Sequence, residues 1–203
     1  MIANGAVLPM FYLPPIEYFT QLMAYKPNVV FEAQEHFPKQ TYRNRANIYS
    51  PDGLLNLVVP VIKGSKNHTK TCDVKISYDF RWQRLHWMSL QACYRRSAYF
   101  EYYENDFAPF YEKRYEYLLD YNRELFELIL RLMKIKLEVK FTEDYEPNYN
   151  GLTDLRGAFN AKNQTATEQK PYFQVFEERK GFLPNLSIVD LLFNQGPQAI
   201  NYL

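Results

Sequence analysis

Apolar positions fall in short β-like runs over the first 76 residues and at helical spacing after them. Ala6 to Leu13 is an apolar run stopped by Pro14-Pro15, and Pro15 suits the first turn of a helix over Ile16 to Tyr25. Phe19, Leu22 and Met23 share a face with Ile16 there, so the spacing predicts a helix packed on a sheet. Strands are predicted over Val29–Ala33, Asn47–Tyr49 and Leu55–Ile62, with Ser50-Pro-Asp-Gly53 as a hairpin turn. Gly64–Thr71 reads as a loop and Cys72–Ser77 as a further strand. Asp79 is the candidate N-cap of a helix over Phe80–Arg96, with Trp82, Leu85, Ser89 and Cys93 on one stripe that Trp87, Leu90 and Tyr94 widen.

Tyr99–Tyr117 mixes aromatic and charged residues, and Asn122–Lys136 carries Leu125, Ile129, Leu132 and Met133 at helical spacing. Leu137–Phe141 alternates as a strand. Thr142–Lys170 is polar and aperiodic, an exposed excursion, most so from Asn160 to Gln169. Ser187 is the expected N-cap of a terminal helix over Ile188–Phe193, closed by Gly196, with Pro197 opening a last turn to Leu203. The fold class expected is α+β: one domain over residues 1–203, its strand-rich N-terminal half forming a mixed sheet covered by the later helices.

A length of 203 residues suits one core, and 47% apolar with 23% charged residues excludes a disordered or fibrous chain. The net charge of +1 provides no whole-molecule field for nucleic acid or an anionic membrane. Leu54–Ile62, the longest apolar-rich stretch, is too short to span a bilayer. Two cysteines, Cys72 and Cys93, make no disulfide scaffold or zinc pattern, and the N-terminus lacks a signal-peptide pattern. A cytoplasmic protein without metal or cofactor is expected.

Three stretches could carry chemistry. If Thr41–Arg45 is extended, Tyr42 and Asn44 face one way and Arg43 and Arg45 the other, and two guanidinium forks suit a phosphate or carboxylate, with Lys39 adding charge nearby. The alternative is that these arginines guard a strand edge or pair with surface acids. In Trp82-Gln-Arg-Leu-His86-Trp87, His86 shares a helix face with Trp82 and Leu90 and is a candidate general base; a core histidine is the alternative. Cys93 lies two turns away, roughly 10 Å. It fits a buried, inert thiol, since its only other potential bases are His36 and His68. The tyrosines from Tyr94 to Tyr117 suit stacking on a sugar or base, or simply helix packing. No phosphate loop, metal spacing or serine elbow is present.

Leu13-Pro-Pro-Ile-Glu-Tyr-Phe19, Lys39–Arg45, Leu57-Val-Val-Pro-Val61, Trp82–Trp87, Tyr94 through Tyr99-Phe100, and Asn185–Asn194 occur in the order of the WbqC-like family, which the chain resembles from about Val7 to Leu203. The resemblance implies a bacterial protein of O-antigen or other surface-polysaccharide assembly, for which glycine or aminoacyl transfer to a sugar has been suggested. Many members carry His-Gln-Pro near the first strand. Here that place is Ala6–Tyr12, without histidine, which turns attention to Tyr12 and His86. The function expected is a transferase acting on a nucleotide-linked or phosphorylated sugar, with Arg43 and Arg45 on the phosphate, Lys39, Asn44, Tyr12, Tyr42 and Trp82 shaping the pocket and His86 taking a proton. The alternative is a noncatalytic binding or scaffold protein of the same pathway. Convergence of His86 on the two arginines, within about 10 Å, distinguishes them.

Overall fold

The computed structural model describes residues 5–62, 69–160 and 169–203. His68, most of the expected loop at Gly64–Thr71 and most of Asn160–Gln169 lie outside them. The strands are β1 (Gly5–Pro9), β2 (Val29–Glu32), β3 (Arg45–Ser50), β4 (Gly53–Val58) and β5 (Leu152–Asp154); the helices are α1 (Ile16–Tyr25), α2 (Trp82–Tyr94), α3 (Phe100–Phe107), α4 (Leu118–Leu132), α5 (Glu177–Lys180) and α6 (Ile188–Gln195). The class is α+β, as expected. The strands divide between a parallel sheet ordered β2-β1-β5 and the antiparallel pair β3-β4.

β1 is buried along its whole length, as a central parallel strand should be. The chain then turns through Leu13, which takes φ 41°, a value rare outside glycine. Pro14-Pro15 leads into α1, where Ile16, Phe19 and Leu22 are buried as the spacing predicts. The hairpin runs from Arg45↔Val58 to Ser50↔Gly53, its turn closed by Gly53 at φ 109°.

Several expectations are corrected. Cys72–Ser77 is not a strand: Thr71–Asp73 forms a 3₁₀ turn, followed only by single bridges Lys75↔Tyr117 and Val61↔Ile76. Leu137–Phe141 makes one bridge, Phe141 to Phe31. The polar excursion contains β5, whose Leu152–Asp154 pairs in parallel with Gly5–Val7. Tyr99–Tyr117 breaks into α3 and a 3₁₀ turn over Ala108–Tyr111, because Pro109 cannot continue the ladder. Asp79 does not cap α2; its carboxylate accepts the Ser77 hydroxyl at 2.7 Å, and Arg81 stands at the N-cap.

The phase of α2 is also corrected. Its buried face is Trp82, Gln83, His86, Leu90, Cys93 and Tyr94, while Leu85 is 56% exposed. At the C-terminus, Ser187 caps α6 by accepting the Val189 amide, and Ile188, Val189, Leu191, Leu192 and Phe193 are fully buried. Backbone bonds Ile16 N–H to Leu186, Ile188 N–H to Pro14 and Ser187 N–H to Asn47 fasten this end to the first strand's exit and to the hairpin.

Candidate functional site

In an open parallel sheet the ends of the strands form a crevice where neighbouring connections part. Here β2 and β5 flank β1, and the crevice is filled by the chain's own charges. The Glu32 carboxylate, fully buried, accepts from the Gln34 and Glu35 amides, the Thr142 and Tyr149 hydroxyls and Arg156 Nη1, at 2.7–3.2 Å. Arg156 also grips Asp154 and the carbonyls of Glu146 and Pro147. Neither Glu32 nor Arg156 was singled out by the sequence, since their separation of 124 residues hides the pair.

Arg43 belongs to the same network. Thr41–Asn44 is a turn, not a strand, so Arg43 and Arg45 do not present a common face. Arg43 is 3% exposed, donates from Nε to Glu35 at 2.8 Å, bonds the Arg156 carbonyl, and lies over the Phe11 ring at 5.6 Å. Burial lowers its pKa and raises that of Glu35, while their attraction opposes both shifts. Lys39 is exposed.

Arg45 is placed differently. It opens β3 opposite Val58, whose backbone acts to raise the His86 pKa. Among the described residues no carboxylate pairs with Arg45, and its Nε is buried without a partner. The two arginines therefore part: Arg43 stands with Glu35 and Phe11, Arg45 opposite Val58 at the open end of the hairpin.

His86 is 6% exposed, on the inner face of α2. Its Nδ1 lies 3.0 Å from the Tyr12 hydroxyl, which is 3.2 Å from that of Tyr111. The Val58 backbone acts to raise the His86 pKa, and because Tyr12 keeps its proton, Nδ1 is assigned as acceptor from the Tyr12 hydroxyl. Burial nevertheless pulls His86 down to about 4, and burial lifts Tyr12 well above the usual tyrosine value. At neutral pH the pair is uncharged, with a free base beside a phenol that keeps its proton. Trp82 and Tyr12 flank the imidazole, with ring centroids at 5.1 and 5.8 Å, and Tyr121 stacks on Tyr12 at 5.7 Å.

This neighbourhood holds unusual unpartnered buried polar atoms. They include Trp82 Nε1, the Tyr121 hydroxyl, Asn122 Oδ1, Asn44 Oδ1 and the Tyr42 hydroxyl. Native structures leave few such atoms, and each calls for a water, ligand or catalytic role. Asn44 and Asn122 spend their amide donors on the Val59 and Arg43 carbonyls, at 2.9 and 2.7 Å. Burial pushes the Tyr42 hydroxyl up to about 12, so it too stays protonated. Tyr121 and Asn122 on α4 were missed because their helix reads as ordinary packing.

Cys93 is buried and pushed up to about 11, first by burial and then by Asp190, an unreactive thiol as expected. Asp190, also missed, is a fully buried carboxylate on α6 that accepts from the Tyr94 and Tyr172 hydroxyls at 2.8 and 2.6 Å. Burial raises its pKa to about 6. Among the described residues no group of three or more His, Cys, Asp or Glu could hold a metal ion, and no helix is long and apolar enough to cross a membrane.

An α+β domain with an uncharged tyrosine–histidine pair buried between hairpin and helices is what the geometry defines. The chain belongs to the WbqC-like protein family, whose model matches residues 10–167 and 156–202. It is 29% identical over 226 aligned positions to the uncharacterized protein Rv1507c of Mycobacterium tuberculosis, across 98% of this chain and 96% of that one. No solved structure matches the chain.

Proposed function

We propose that the protein is a transferase of bacterial surface-polysaccharide assembly, acting on a nucleotide-linked or phosphorylated sugar. The family supports the pathway. The reading rests on one observation above all: Arg45 is partly buried, has no ion pair among the described residues, and stands across β3–β4 from Val58, whose backbone acts on the His86 pKa. A guanidinium so placed is free to take an anionic group of the sugar ligand. Arg43, already engaged by Glu35, supports the turn that delivers Asn44 and Arg45.

In this reading the attacking amine or hydroxyl bonds the sugar carbon as that carbon's bond to the phosphate or nucleotide breaks and that group departs as an anion, while the attacker's proton passes to Tyr12 and Tyr12 passes its own to His86 Nδ1, leaving a protonated imidazole. An anion held by Arg45 raises the proton affinity of that ring as it binds. Help of this kind contributes about 10²- to 10⁴-fold. The test is a thermal-shift screen of sugar phosphates that carry no nucleotide. Stabilisation by a ligand, lost in Arg45→Gln, is expected; no stabilisation, or stabilisation indifferent to Arg45, defeats the reading.

The scaffold alternative draws on the parting of Arg43 and Arg45, which do not share one face, and on a second observation. Leu54, Val58 and Ile62 along the hairpin strand and its extension, with Leu85 and Met88 on α2, are 37–56% exposed. Such apolar groups suit a protein partner. Unchanged polysaccharide in cells carrying His86→Gln, and its loss with Leu85→Glu, would favour that alternative.

A further inference from the structure

A cleft of about 250 Å³ opens at the start of α2, lined by Tyr78, Phe80–Arg84, Tyr111, Glu112 and Arg114. Arg81, Arg84 and Arg114 are exposed, and none forms an ion pair among the described residues. One acid, Glu112, faces three guanidinium groups, a local excess of positive charge on a chain whose net charge is only +1. The first turn of α2 has no side-chain cap, so its orphan amides add to the same field. Trp82, 1% exposed, lines the cleft and carries an indole N–H with no hydrogen-bond partner among the described residues.

The walls are fixed. Gln83 donates to the carbonyls of Phe110 and Lys113 at 3.1 and 2.6 Å, tying α2 to the opposite side. Tyr78 and Tyr115 exchange two bonds, hydroxyl to carbonyl at 3.0 Å and amide to hydroxyl at 2.8 Å. At the rim, Phe80 is 53% exposed, and Arg114 lies over the Tyr78 ring at 5.0 Å. Unpaired guanidinium groups and an exposed aromatic ring around one cleft are the two requirements of a nucleotide site. The cleft is slightly smaller than pockets that enclose whole drug-sized ligands, so it suits phosphates inside with the base on the rim.

We infer that this cleft binds a nucleoside diphosphate, with Arg81, Arg84 and Arg114 on the phosphates and Phe80 stacked on the base. The inference deepens the proposed function: it places the nucleotide of the linked sugar, and it rests on that reading only for the sugar end. Tyr111 forms part of the wall, and its hydroxyl meets Tyr12, the partner of His86. The cleft thus backs directly onto the tyrosine–histidine pair, and Arg45 is left for an anionic group of the second substrate that a transferase requires.

Calorimetric titration of the full chain with inorganic pyrophosphate and with ADP, GDP, CDP, UDP and dTDP, at physiological ionic strength, tests it. At least one nucleotide is expected to bind more tightly than pyrophosphate, with Arg84→Gln weakening it about tenfold, the loss of one charge-assisted contact. The exposed triple variant R81Q/R84Q/R114Q should bind none, with its melting temperature unchanged. Phe80→Ser should bring the nucleotide down to the pyrophosphate affinity. No binding at millimolar concentration, binding that survives the triple variant, or equal affinity for pyrophosphate and every nucleotide overturns the inference. Arg45→Gln should leave nucleotide binding within twofold, so the two readings fail on different residues.

Discussion

Asp190 offers a direct measure of what burial does to a charge in this protein. Its carboxylate is fully buried, receives the hydroxyls of Tyr94 and Tyr172, and has no cationic partner among the described residues. Burial outweighs these bonds and raises its pKa from the ordinary 3.8 to about 6. The folded protein therefore holds this proton more tightly than the unfolded chain does. Stability from this group is fully present below about pH 4 and is lost as pH rises through about 6. The difference corresponds to about 3 kcal/mol, at about 1.4 kcal/mol per pH unit.

Asp190→Asn keeps the shape and removes the titration. Urea unfolding of both proteins from pH 4 to 7.5 isolates the effect, because every other group titrates alike in the two. The variant should gain about 3 kcal/mol relative to wild type across that range, with the change centred between pH 4 and 6. Curves that run parallel, or a variant that loses ground as pH rises, would show that the hydroxyls and not burial control this carboxyl. Tyr172→Phe separates the contributions: it should cost about 2 kcal/mol at pH 7.5, the worth of a bond to a charged group, and less at pH 4.

Arg156→Met leaves Glu32 buried with its charge unmatched, and should cost about 3–5 kcal/mol in urea unfolding; a loss below 1 kcal/mol would mean that the surrounding hydroxyls and amides suffice. Gly196→Ala should destabilise strongly, since a Cβ would sit 2.4 Å from the Tyr99 ring at a backbone φ of 54°, and a melting temperature within a degree of wild type would contradict the close approach. Truncation after Gly181 removes five fully buried large side chains of α6, each worth about 1.5–3 kcal/mol, against a total margin of about 5–15. That chain should be unfolded by circular dichroism; a cooperative melt near the full-length value would place α6 outside the core.

Elements with local chemistry were legible in the sequence. The hairpin turn at Ser50–Gly53, the proline-led α1 and the Ser187 cap each depend on residues within a few positions of one another. What escaped depended on distant partners. β5 is three residues of unremarkable composition that pair because β1 has a free edge. On α2 two stripes fit helical spacing, one through Leu85 and one through His86, and apolarity favours the first; the Tyr12 hydroxyl, 74 residues away, makes burial of the histidine the one realised. The same limit applies to the site. The sequence presented Arg43 and Arg45 as a matched pair, but Glu35 claims one of them, and the acid that does so lies across a turn whose shape alternation could not reveal.

The attachment of α6 has a consequence for how the chain reaches its native state. The exit of the first strand, Leu13 to Ile16, is bonded to Leu186, Ser187 and Ile188, more than 160 residues later. Ser187 hydroxyl donates to the Leu13 carbonyl, Ile16 amide to Leu186, and Ser187 amide to Asn47 of the hairpin. The earliest-made parts of the protein thus wait, with their polar backbone and apolar side chains unmatched, until residues 185–193 have been synthesised. Contacts of such separation slow folding, because the chain must close a long loop before they stabilise it. During that interval β1 and α1 expose the surface that α6 later covers, and that uncovered apolar surface makes the nascent chain prone to aggregate.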